Sequence, residues 1–168
     1  MFDKTVLTRF GQTPEAAKAA LERELTAFAA LPASLQEVWL RPRPEGAWSP
    51  AETTEHVLKI NVSMSKVLNL LRTDKPLPEQ VRTPGRLKED KAQAPEFTRP
   101  GPPQAWDALE PQWLEVAARL RREVDETHDW RGRSWFHPYF GDLDALGWLA
   151  SASLHMAHHR KQLRPDEA

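Results

Sequence analysis

His155 and His159 stand four residues apart near the end of this 168-residue chain. On a helix that spacing places two imidazoles about 40° apart on one face. Such a pair can ligate one metal ion when a third ligand arrives from another element. His56 is the candidate third ligand, because it falls on the inward stripe of a second helical segment. Antiparallel packing of the two segments would bring the three rings together. The chain has no cysteine, so any metal here must use nitrogen and oxygen ligands. Three neutral imidazoles suit Zn²⁺ or Ni²⁺, with Fe²⁺ or Mn²⁺ also compatible. Three protein ligands leave coordination positions for water or substrate, as in catalytic rather than closed structural sites. By spacing, Glu52, Glu55 and Gln162 are the polar side chains placed to support the ligands.

Plainer readings compete with this one. Histidines near a helix C-terminus are favoured there by the helix dipole, metal or not. A single inward histidine such as His56 is more often a hydrogen-bonded core residue than a ligand. His158 points about 60° from His155 and about 100° from His159, which makes it peripheral. His128 follows a helix end and reads as a cap or a solvent-facing residue, while His137 reads as a loop hydrogen-bonder or part of a pocket wall. Trp48, Trp135 and Trp148 are the candidates for a pocket lining among seven tryptophans. There is no glycine-rich phosphate loop and no nucleophile–base spacing.

Four helical segments must position these side chains. The first is predicted over 14–31, with Thr13 as N-cap and Pro14 at the first helical position. The second follows Ser49-Pro50-Ala51-Glu52, a capping box, and carries the stripe His56, Ile60, Met64, Val67, Leu71 down to Asp74. The third is predicted over 103–127 with the stripe Trp106, Leu109, Trp113, Val116, Leu120, Val124. Pro111 kinks it or marks its true start. Arg119 to Arg122 with Glu115 and Glu123 read as a solvated face. The fourth is predicted from Asp142 as N-cap to about Leu163, with Pro165 just beyond. Prolines concentrate in 32–50 and 76–103, and the stretch 75–103 has no period. Val81, Phe97 and 134–140 could form short extended pieces. The expectation is a single domain over 1–168, an all-α four-helix bundle with a long crossover between the second and third helices.

Composition narrows the function classes. Net charge is −1, with 23 basic and 24 acidic residues, which gives no footprint for nucleic acid or an anionic membrane. The N-terminus lacks signal-peptide character and no apolar run reaches about 18 residues. The sequence reads as a soluble cytoplasmic protein.

Three stretches together resemble one known family. Trp48-Ser49-Pro50-Ala51-Glu52-Thr53-Thr54-Glu55-His56 resembles the WSxxExxxH signature of the DinB-like (DinB/YfiT) superfamily. His137-Pro138-Tyr139-Phe140-Gly141-Asp142-Leu143 resembles its HPxFGxL loop. His155-Met156-Ala157-His158-His159-Arg160-Lys161-Gln162-Leu163 resembles its closing HxxHHxxQ(I/L). The motifs occur in the family's order across 48–163. The resemblance implies a four-helix bundle, often a homodimer, with a divalent metal held by His56, His155 and His159. It further implies a metal-dependent transferase that activates a low-molecular-weight thiol such as bacillithiol or mycothiol as thiolate. The thiolate then attacks an electrophilic small-molecule substrate, in detoxification or stress response. Two alternatives stay open. One is a non-catalytic bundle with a structural metal or merely a polar core; the other is hydrolysis by a metal-bound water at the same three histidines.

Overall fold

The computed structural model describes residues 1–89 and 91–163, with only the backbone of Glu45; Pro165 lies outside the described residues. Four long helices carry the architecture: α1 (Pro14–Ala29), α3 (Pro50–Arg72), α4 (Trp106–Asp125) and α5 (Ala145–Gln162). A single turn, α2 (Leu31–Ser34), follows α1. Two small antiparallel ladders complete the elements. β1 (Leu87–Lys88) pairs with β2 (Lys91–Ala92), and β3 (Ser134–His137) pairs with β4 (Gly141–Asp144). A 3₁₀ segment at Lys4–Phe10, capped by Asp3, buries Leu7 against the bundle.

Side-chain pairs fix the helix directions. His56 meets His155 and Met64 meets Ser151, so α3 and α5 are antiparallel. Glu22 meets Arg121 and Lys18 meets Asp125, so α1 and α4 are antiparallel too. Near their starts, α3 and α4 are joined through Trp39, which receives Ala51 N–H at its carbonyl and stacks edge-on against Trp106. Near their ends, Arg72 bonds Glu123. The two helices are therefore parallel. A parallel neighbour requires the chain to travel back along the bundle, about 35 Å for the 23 residues of α3. The proline-rich stretch after Arg72 is that return path.

The crossover is tied down along its course. The Gln80 amide exchanges two hydrogen bonds with the backbone of Phe136, as a neighbouring strand would. Gly85 N–H donates to Pro138 O, and a Cβ at residue 85 would lie 2.2 Å from the Tyr139 ring. Only glycine permits that approach. Tyr139 Oη donates to Gln93 O at 2.6 Å. The 3₁₀ turn Glu96–Thr98 then returns the chain to the end of the bundle where α3 begins and α5 ends.

Several expectations need correction. The first helix stops at Ala29, and Pro32 sits in the separate turn α2. The last helix is capped by Asp144, not Asp142, because residues 141–144 pair as β4 before the helix starts. Gly141, at φ +73°, makes the turn into that strand. The third helix starts at Trp106 and runs through Pro111 with one backbone donor fewer. No side chain caps that start. It is held instead by the Trp39 contact and by Trp39 Nε1 donating to Gln104 O. Val81 is exposed and outside any strand, and Phe97 lies in the 3₁₀ turn. Glu123 is not on a solvated face: it is 2% exposed and accepts from Arg72 and Asn69. The buried seam of α3 runs through Val57, Asn61, Met64, Leu68 and Leu71, while Ile60 and Val67 are half-buried.

Apolar burial on the facing stripes, with Phe28 stacked on Trp113 at 5.2 Å, holds the bundle together. Leu68 is fully buried in this core. Leu68→Ala should lower unfolding free energy by about 2–5 kcal/mol in urea titrations. A loss below about 1 kcal/mol would contradict the packing described.

Candidate metal centre

Two helix ends build the site. The capping box that starts α3 is complete: Ser49 Oγ accepts from Glu52 N–H, and Glu52 Oε2 accepts from Ser49 N–H. This locks the first turn and puts His56 two turns in, 3% exposed. His155 and His159 lie one turn apart near the end of α5, both half-buried. Trp48, just before the cap, lies against the His56 ring with centroids 5.0 Å apart.

The three rings converge through their Nε2 atoms. His56 Nε2 is 3.2 Å from His155 Nε2, and His159 Nε2 is also 3.2 Å from His155 Nε2. One ligand atom from each of the three lies within 4.8 Å of the others. The far sides of two rings are occupied. His56 Nδ1 lies 2.9 Å from Thr98 O, a pure acceptor, so Nδ1 carries the proton and Nε2 the lone pair. His159 Nδ1 donates to Gln162 Oε1 at 3.0 Å, while Gln162 Nε2 donates to His158 Nε2. His159 is thereby left with its lone pair on Nε2 as well.

This arrangement fits a divalent ion. Lone pairs facing one another across 3.2 Å repel unless something positive sits between them. Two nitrogens each about 2.0–2.1 Å from one ion, at tetrahedral to octahedral angles, are about 2.9–3.4 Å apart. The buried His155 Nδ1 has no hydrogen-bond partner. A single proton on His155 Nε2 could be shared with its two neighbours only weakly, whereas an ion satisfies all three donors.

The imidazoles are neutral at ordinary pH. Burial is the largest cause in each case. It pushes His155 well below 6.5, helped by the positive charge that His159 and His56 would carry. It pushes His159 to about 3, with His56 and His158 adding to the effect, Gln162 opposing it and Arg43 contributing least. His56 is lowered by burial against the opposing hydrogen bond to Thr98. His137, packed on Trp148 at 4.8 Å, is lowered to about 4 by burial. Neutral imidazole is the ligating form, so the folded protein holds the donors ready.

The structure brings His56, His155 and His159 together and gives Gln162 the supporting position expected of it. Glu52 and Glu55 are used elsewhere: Glu52 in the capping box, Glu55 on Gly101 N–H and Lys59. His128 is exposed. His137 ends strand β3 rather than lying in a loop, and its Nδ1 accepts Tyr139 N–H. Trp148 is core and donates to Trp135 O. Two participants were not expected. Thr98 contributes a main-chain carbonyl, which leaves no trace in residue type. Arg43 bonds Trp48 O and Gln162 O, bridging the entry to α3 and the end of α5.

Two expectations follow. Gln162→Leu frees His159 to take the wrong tautomer, and metal affinity measured by competition with a chromophoric chelator should fall about 10–100-fold. An unchanged affinity would remove Gln162 from the site. For the metal-free protein, unfolded histidines take up protons near pH 6.5, whereas folded His137 does so near 4 and His159 near 3. The unfolded state therefore binds more protons in that window, and stability is lost as pH falls from 6.5. Denaturant titrations at pH 7 and pH 4.5 should show a drop on the order of 2–3 kcal/mol per such histidine. A flat profile would contradict buried neutral imidazoles.

Comparison with known proteins agrees with this architecture. A search of curated proteins gives no match. The chain is similar to a solved four-helix bundle protein, TT2238, at 29% identity and a TM-score of 0.64, over 90% of this chain and 98% of that one. The family model described as DinB superfamily matches residues 19–163, which spans all four long helices apart from the first turn of α1. The chain belongs to the DinB superfamily.

Proposed function

We propose that the protein is a metal-dependent transferase in which His56, His155 and His159 hold a divalent ion, Zn²⁺ or Ni²⁺ foremost. In this reading the centre activates a low-molecular-weight thiol for attack on an electrophile, in detoxification or stress response. The observation that carries it is the convergence of three Nε2 donors, with His155 3.2 Å from each of the other two and with two of their Nδ1–H groups tied to Thr98 and Gln162. A bound divalent ion supplies a Lewis acid that lowers the pKa of a thiol at neutral pH.

The chain's own residues do the rest. Thr98 O and Gln162 Oε1 hold two rings in the ligating tautomer, so little reorganisation accompanies metal uptake. Trp48 covers one side of His56 and shields it from water. No carboxylate is among the three converging donors, and imidazole ligands leave the ion its full charge. That favours an anionic sulfur ligand over a neutral one. A sulfur–carbon bond forms as the electrophile's leaving group departs, and the thiol proton passes to solvent. Membership of the superfamily supports the reading. A homodimer is part of the same proposal. No helix among the described residues is long and apolar enough to cross a membrane.

Elemental analysis of protein purified without a histidine tag should find close to one divalent ion per chain, lost in His56→Ala and His159→Ala. The metal-loaded protein should then accelerate conjugation of thiols to chlorodinitrobenzene or monobromobimane. Metal-free protein of undiminished stability would defeat the metal centre. Turnover of ester or amide substrates without thiol would defeat the transferase and favour hydrolysis.

A further inference from the structure

Arg43 does more than the geometry of the metal ligands requires. Its Nε donates to Trp48 O at 2.7 Å and its Nη1 to Gln162 O at 2.9 Å. Trp48 lies on the ring of His56, and Gln162 holds the ring of His159. The guanidinium is therefore fastened to the two residues that flank the centre from α3 and from α5. Its Nη2 makes no hydrogen bond to the described residues and is not sealed from solvent. Arg43 is half-buried, and no described carboxylate lies within ion-pair distance of it.

Charge balance gives that free nitrogen a purpose. Three neutral ligands leave a divalent ion with two positive charges, and Arg43 adds a third nearby. The acids of the first turns of α3 are already engaged, Glu52 with Ser49 and Glu55 with Lys59 and Gly101. A partly desolvated cation with no counter-charge among the described residues suits an anion arriving with the substrate. A guanidinium with two of its five N–H donors pinned is held in place while the rest can meet a carboxylate.

We propose that Arg43 forms a carboxylate subsite beside the three-histidine centre, so that the preferred thiol is a small mercapto acid. Arg43 holds the acid end while the sulfur reaches the metal. The proposal rests on the metal-centre reading and names the substrate class it would take. Arg43 is here a binding residue, and it does not hold the ion.

The full chain loaded with Co²⁺ tests this through its visible spectrum, titrated with mercaptoacetate, 2-mercaptoethanol and acetate. Mercaptoacetate should bind about tenfold or more tighter than 2-mercaptoethanol. In Arg43→Gln that preference should fall toward one. Arg43→Lys, which keeps the charge but loses the fork, should fall between and serves if Arg43→Gln does not fold. Equal affinity for the two thiols in the unmodified protein overturns the subsite, as does a preference that survives either substitution unaltered. If neither thiol perturbs the spectrum while acetate does so through Arg43, the thiol reading fails and the subsite stands. Failure to take up cobalt removes both.

Discussion

Three imidazoles meet through their Nε2 atoms inside the bundle, and two of them, His56 and His159, present lone pairs to the third. His155 Nε2 stands 3.2 Å from both neighbours, where a single proton has two lone pairs to serve, and burial disfavours adding a second. Relaxing the rings would require breaking the Thr98 or Gln162 contact. The bundle's apolar seams hold α3 and α5 in the register that keeps the three rings together. Metal sites of open coordination in general depend on donors organised by the scaffold in this way.

Parallel α3 and α4 have a consequence for the same centre. A pair of parallel helices cannot be joined by a tight turn, so the chain must run the length of the bundle between them. That return path is what brings Thr98 against His56. The crossover is fastened to the β3–β4 hairpin by Gln80, Gly85 and Tyr139 before it reaches the site. Topology, hairpin and metal centre are thus connected by one stretch of chain.

Much of this could be read from residue types. The Ser49–Glu52 capping box and Pro50 located the start of α3 correctly, and the 3.6-residue stripes identified all four long helices. The meeting of His56, His155 and His159 was legible because two of them stand one helical turn apart and the third lies on the inward face of an antiparallel helix. What was missed had no side-chain signature or depended on distant partners. Thr98 acts through its backbone. Asp142 and Asp144 are both acceptable caps by type, and only the pairing of Leu143 with Trp135 decides between them. Glu123 looks like a surface residue until Arg72, fifty-one positions earlier, is placed beside it. Trp106 starts a helix without a capping side chain because Trp39 anchors it.

Thr98 supplies an oxygen that every amino acid possesses. A contact of that kind survives any replacement of its side chain that keeps the local turn. The side chain at that one position can therefore change while the imidazole it steadies stays oriented. The orientation of that ring thus depends on the path of the main chain rather than on the identity of the residue that carries the oxygen.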